Sequence, residues 1–330
     1  MAVATEFRRD SSREIAFSML ACSGCYTRWV RQLIVNADDF GLTQGVNRAI
    51  SESHAGGVVT SSTLMASGPA FDDAVAIARS LPSLAVGCHV VLVDGAPVSA
   101  PASIPTLVAS RSSNPKRFFG KVSSVAARAL LGGYDEDELV REMVAQIRRI
   151  QAAGIQVTHL DTHKHAHIFP AILKALLNAA RICAVRAIRN PFVPTSSMSL
   201  RALASQRALW TRYGQVRALS TMAGQFRRRV KRAGLKTPDG VVGVMETGSV
   251  DSSLFQRALA SLPDGAWELV CHPGYDDADL RSVPTRLLQS REVERRLLTS
   301  TEFREYLDRE GIGLISFRDL VDNRAEASSP

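Results

Sequence analysis

The sequence predicts an α/β fold, a mainly parallel sheet whose strands are joined by helical crossovers. Two patterns predict it. Short runs rich in β-branched residues alternate along the chain with stretches whose apolar residues repeat at helical spacing. Six of the seven histidines, with several carboxylates beside them, fall at or near the ends of those short runs. In α/β folds, functional groups collect beyond the carboxyl ends of the strands.

The elements follow in order. Leu33-Ile34-Val35 in "QLIVNADDFG" marks a strand over 32–37 that should end before Asp38 and Asp39. "TQGVNRAISESHAGG" is a helix closed by Gly56-Gly57. "VVTSSTLMAS" is a strand, and "AFDDAVAIARSLPS" a helix stopped at Pro82. "LAVGCHVVLVDG" is a strand holding His89. The clearest helix is "DEDELVREMVAQIRRIQAAG", capped by Asp135 or Asp137 and ended by Gly154. "IQVTHLDTH" is a strand and "AILKALLNAARIC" a helix; "VVGVMETG", "WELVCHPG" and "IGLISFRDL" are later strands, with helical stretches at 251–262 and 287–310. Residues 1–30 are expected to be a loose extension rather than a secretory signal, and 31–330 a single unit with a basic helical insert at about 195–236.

Composition narrows the function. At 330 residues and 45% hydrophobic, the chain can bury a large core, and no apolar run reaches the roughly 18 residues that span a bilayer. Five scattered cysteines argue against a disulfide framework and for a reducing, cytoplasmic setting; Cys22 and Cys25 have redox spacing but no second pair answers them. The net charge of +8 is local: no acidic residue lies between Asp161 and Asp239, an interval with 15 Lys and Arg. Within it, Leu203, Trp210, Val216, Leu219, Met222, Phe226 and Val230 recur at near-helical intervals. Such a segment suits an anionic membrane surface, making the protein peripheral, or an anionic substrate. A solvated cationic face is the plainer alternative. No recognition motif for nucleic acid accompanies it.

Adjacent carboxylates at Asp38 and Asp39 repel each other unless something positive sits between them, for which a metal ion is the usual remedy. A helix cap is the simpler reading, because Gly41-Leu42-Thr43 forms a turn. Gathered with His89, His159, Asp161, His163, His165, His167, Glu246 and His272 on one rim, they point to a metal or acid–base site. Mixed nitrogen and oxygen donors suit zinc, manganese, cobalt or nickel. One carboxylate and two histidines suffice as ligands. A second carboxylate can then deprotonate a metal-bound water, whose pKa falls from about 15.7 to about 7. An imidazole opposite can protonate a leaving amine. In "THLDTHKHAH", His163 and His167 would share a helical face, and spacing alone does not name the ligand; His165 and His167 are expected to bind substrate or support a ligand.

"LIVNADDFGLTQGVNRAI", "GVVTSSTLMASGPAFDDAV", "PSLAVGCHVVLVDGAPV", "THLDTHKHAHIFP" and "CHPG" occur in an order that resembles the YdjC-like (ChbG) carbohydrate deacetylases. "HVVLVDGAPV", "RRRVKRAGLKTPDG" and "LPDG" look most like its hopanoid-biosynthesis-associated branch. The resemblance implies a deacetylase-type (β/α) barrel and one divalent metal, magnesium or zinc foremost, used to remove acetyl from an N-acetylated amino sugar. It implies Asp39, His89 and His163 as metal ligands, Asp38 as general base and His272 as the acid. The cationic insert and the extension depart from the family pattern, so that a lipid-linked glycan competes with a chito-oligosaccharide as substrate. A homodimer is also expected. Alternatives are another metal-dependent amidohydrolase or phosphoesterase, or a non-catalytic carbohydrate- or membrane-binding relative. Glu246 is either support for the site or a surface cap.

Overall fold

The computed structural model describes residues 31–109, 117–193, 220–244, 247–248 and 253–322. The 1–30 extension with Cys22 and Cys25, Glu246, and insert residues 194–219 lie outside the described residues.

Among the described residues seven strands, all paired in parallel, form one sheet: β1 (Arg31–Phe40), β2 (Ser61–Leu64), β3 (Ala85–Val90), β4 (Leu160–Thr162), β5 (Gly240–Val242), β6 (Gly265–Cys271) and β7 (Ile312–Ile315). Their order is β4-β3-β2-β1-β6-β5, with β7 paired to the first residues of β1 and β2 to its last. The helices between them are α1 (Gln44–Ala55), α2 (Phe71–Ser80), α3 (Val122–Leu130), α4 (Glu136–Ala152), α5 (Pro170–Ile182), α6 (Ala223–Arg232), α7 (Ser253–Ala260), α8 (Ala278–Ser282), α9 (Gln289–Leu298), α10 (Thr301–Arg309) and α11 (Phe317–Asp322).

An extended segment at 186–192 curls this sheet into a barrel. Leu160 N–H donates to Ala187 O and Arg189 N–H to Leu160 O, while on the far side Ile188 N–H donates to Lys236 O, Lys236 N–H to Arg186 O, and Val241 N–H to Phe192 O. The segment therefore bridges the edge strands β4 and β5, and it carries Arg189 into the interior. Leu33, Ile34, Val35 and Ala37 of β1 are buried on both faces, as a strand covered by helices requires. Burial of Leu33, Ile34 and Val35 contributes about 1.5–3 kcal/mol each. Ile34, Ala187, Phe317 and Val321 plug the end of the barrel from which the strands start.

Local chemistry explains most boundaries. Thr43 accepts from Val46 N–H and Asp135 from Glu138 N–H, so both helices start where the sequence places a cap. The stretch 287–310 is two helices, because Ser300 ends one and caps the next by accepting from Phe303 N–H. "IGLISFRDL" is strand only to Ile315; the Ser316 hydroxyl and the Asp319 carboxylate then bond each other's backbone N–H and start α11. The one displacement that matters is in β1. It does not stop before the aspartates but runs through them to Phe40, with an irregular register between Ala37 and Phe40 and Asp39 at φ 66°. That local twist turns consecutive side chains toward one cleft.

Candidate active site

Three donor atoms that could hold a cation face one point at the carboxyl ends of the strands. His89 Nε2 lies 3.2 Å from His163 Nδ1, and Asp39 Oδ1 lies 3.6 Å from the first and 3.4 Å from the second. Donors held tetrahedrally at about 2.0–2.1 Å from a cation are separated from one another by about 3.3 Å. The residues therefore fit a divalent ion, with two neutral nitrogens and one carboxylate oxygen. Their surroundings fix which atoms face inward. Asp161 Oδ1 sits 2.8 Å from His89 Nδ1, leaving Nε2 to point at the centre, and Arg291 Nη2 holds Asp39 Oδ2 at 2.5 Å, leaving Oδ1 free. Burial disfavours a charged His89, yet the carboxylates of Asp161, Asp38 and Asp39 raise its pKa to about 9. Burial likewise opposes ionisation of Asp39, but Arg291 and His163 hold its carboxyl well below the usual range.

Asp38 is set apart from this triangle by Arg189. The guanidinium donates from Nη1 to Asp38 Oδ2 at 2.8 Å and from Nη2 to Oδ1 at 2.6 Å, and it also meets Asp161 Oδ2 at 2.5 Å and Glu268 Oε1 at 2.7 Å. Asn36 Nδ2 adds a 2.9 Å bond to Asp38 Oδ1. Burial raises the Asp38 pKa, but Arg189 outweighs it and holds the group well below the carboxylate range. The same burial carries Glu268 up to about 7. Asp38, His89 and Asp161 are also close enough to hold an ion. Arg189 already supplies positive charge between the two aspartates, so the Asp39 triangle is the better centre. On the other flank, His272 Nε2 is 3.9 Å from Asp38 Oδ2, too far for a hydrogen bond. Burial lowers the His272 pKa to about 4 despite the nearby aspartates, so the ring is neutral at rest. Its backbone N–H donates to Glu294 Oε2 at 2.5 Å.

Residues 32–309 match the family described as YdjC-like protein. The chain belongs to the YdjC-like family. It is 31% identical over 293 residues to a carbohydrate deacetylase of Brevibacillus brevis, covering 88% of this chain and 99% of that one. It is 32% identical over 289 residues to a carbohydrate deacetylase of Listeria monocytogenes serotype 4a, covering 88% and 100%. Among solved structures, a protein of Enterococcus faecalis V583 described as a cellobiose-phosphate cleavage protein aligns with a TM-score of 0.69 at 25% identity, over 88% of this chain and 99% of that one.

In this YdjC-like protein Asp38, Asp39, His89, His163 and His272 all line one cleft of about 900 Å³. The other histidines part company. His159 is not on the rim but inside the barrel, stacked 3.7 Å from Phe317 and bonded to Asn36 Oδ1 and Thr158 Oγ1. The turn His163–Ile168 is not a regular helix: Lys164 and His165 have positive φ, so His163 and His167 do not share a face. His163 faces the cleft, whereas His167 bonds Thr162 Oγ1 at 2.6 Å and Arg189 O at 3.3 Å, supporting the wall. His165 lines the cleft, neutral, its pKa lowered to about 3 by burial. Arg189, Arg291 and Glu268 were not legible as site residues. Arg189 sits on an extended segment that "AVRAIRNPF" announces only through Ile188 and Phe192, and Arg291 lies in "SREVERR", which resembles a solvated helix face.

Proposed function

We propose that this YdjC-like protein is a metal-dependent carbohydrate deacetylase that hydrolyses the N-acetyl group of an amino sugar to acetate and a free amine. The observation that carries this reading is the Asp39–His89–His163 triangle with a second carboxylate, Asp38, on the adjacent residue. A divalent ion held by that triangle would supply Lewis-acid polarisation of the acetyl carbonyl and acidify the attacking water. The remaining work falls to the protein. Arg189 keeps Asp38 ionised and oriented, ready to accept the proton of the attacking water. Neutral His272, its Nε2 3.9 Å from Asp38 Oδ2, can take over the proton that Asp38 draws from the attacking water and, as imidazolium, give it to the departing amine. Water and amide are then consumed, and acetate and amine produced, with no net proton change at the enzyme.

The cleft favours an amphiphilic substrate over a bare oligosaccharide. Among the described residues its lining has no Trp, Tyr or Phe to stack on a sugar face, and it is rich in aliphatic groups such as Leu42, Met65, Val91, Val122 and Leu287. On α6, Phe226 and Val230 are buried while Arg227, Arg228, Lys231 and Arg232 are exposed, and no carboxylate among the described residues pairs with those four. A lipid-linked amino sugar at an anionic membrane surface would use both features, and the resemblance to the hopanoid-associated branch points the same way. No helix among the described residues is long and apolar enough to cross a membrane. A mass-spectrometric screen for acetate and phosphate release from soluble and lipid-linked amino sugars, with each metal supplied, tests the reading. Acetate released from an amino sugar supports it; phosphate release alone overturns it.

A further inference from the structure

Left-handed backbone is concentrated at the cleft. Among the described residues five non-glycine positions have positive φ, and four of them, Asp39, Asp94, Lys164 and His165, line it. Such conformations are disfavoured for L side chains and persist where the surroundings over-determine them, commonly at ligand sites. The donor triangle accounts for Asp39. It does not account for the other three, which form a group of their own. Lys164 Nζ reaches from the His163 turn to Asp94 Oδ2, 3.2 Å away on the segment after β3, and both side chains remain partly exposed. Thr162 holds the turn in place, its Oγ1 accepting from His167 N–H at 3.0 Å. His165 Nδ1 is buried without a partner. Placing the ring hydrogen on Nε2 leaves only a lone pair unsatisfied, which makes His165 a neutral donor at the cleft.

We propose that Asp94, Lys164 and His165 form a hydroxyl-reading subsite that recognises the sugar ring bearing the scissile acetamide and sets substrate specificity. This rests on the deacetylase reading above. One carboxylate acceptor, one ammonium with three donors and one neutral N–H donor complement neighbouring hydroxyls, each of which both gives and accepts a hydrogen bond. Lys164 and His165 directly follow His163, so the ring they read is the one whose acetamide reaches the triangle. A site built to bond hydroxyls discriminates strongly against an analogue lacking them.

The test compares wild type with Asp94→Ala, Lys164→Met and His165→Phe in metal-supplemented protein. Calorimetric titration with the disaccharide of N-acetylglucosamine reads binding. The ratio of kcat/KM for that disaccharide over p-nitroacetanilide, an acetylated amide with no hydroxyls, reads specificity. Each variant should weaken disaccharide binding, and lower the ratio, by about 10- to 100-fold, the loss of one or two bonds to charged or buried donors. Unchanged disaccharide affinity, or both substrates declining together at a constant ratio, overturns the subsite. Disaccharide that binds through these residues while no amino sugar, soluble or lipid-linked, releases acetate overturns the deacetylase reading and leaves the subsite standing. Anilide hydrolysis by a wild type that binds no disaccharide does the reverse.

Discussion

Arg189→Met removes a guanidinium set directly against three buried carboxylates, those of Asp38, Asp161 and Glu268. Asp38 loses contacts at 2.6 and 2.8 Å, Asp161 one at 2.5 Å, and Glu268 two at 2.7 and 2.8 Å. At about 1.5–3 kcal/mol per charge-assisted bond, five contacts sum to roughly 8–15 kcal/mol. That overstates the loss, because desolvating the guanidinium cancels most of it; breaking a buried pair costs about 3–5 kcal/mol. Against a total stability of about 5–15 kcal/mol, this is a severe but measurable change. Its pH dependence has a definite sign. The folded-state pKa of Asp38 is depressed, so its pairing stabilises the wild type above the ordinary carboxylate pKa and is lost as pH falls through the depressed value. The variant has no such depression and tolerates protonated carboxylates. The stability gap should therefore hold its full width from pH 7 down to the ordinary carboxylate pKa of about 4 and narrow on further acidification. Urea denaturation followed by circular dichroism at several pH values measures it. A gap below about 1 kcal/mol at pH 7, or one that grows on acidification, would refute the reasoning.

Three further outcomes follow from the same geometry. Asp38→Asn should keep its metal, read by calorimetry, while turnover falls by about 10²- to 10⁴-fold, the usual contribution of a general base; full activity would remove Asp38 from that role. In the metal-free protein His89 holds a proton up to a pKa of about 9, and a metal must displace it. Metal binding should release about one proton, and the apparent Kd should tighten about tenfold per pH unit from pH 6.5 toward 9; a flat Kd over that range would contradict the ligand assignment. Sedimentation with anionic vesicles should weaken with salt and on replacing Arg227, Arg228 and Arg229 by Gln, about 1 kcal/mol per charge at the surface, whereas unaltered sedimentation would separate α6 from any membrane role.

Much of the fold was legible because β1, β3, β6 and α4 carry strong local signals: β-branched runs, an Asp135 cap and a closing glycine at Gly154. The bridging segment at 186–192 was not, since its register comes from tertiary pairing with β4 and Lys236 rather than from its own composition. The site divides along the same line. Asp38, Asp39, His89, His163 and His272 stand out by residue type at strand ends. Arg189 and Arg291 resemble any surface arginine in sequence, and only packing shows that both are buried against aspartates. His159 misled for a related reason: it follows the strand pattern, but its side chain points down the barrel onto Phe317. Backbone twist at Asp39 and at Lys164-His165, which decides where neighbouring side chains face, has no sequence signature at non-glycine positions.

A crystal grown with zinc or manganese and measured at the metal's absorption edge tests the metal centre most directly. The anomalous peak should lie within about 2.0–2.2 Å of Asp39 Oδ1, His89 Nε2 and His163 Nδ1 together. A peak elsewhere, or none at saturating metal, would contradict it.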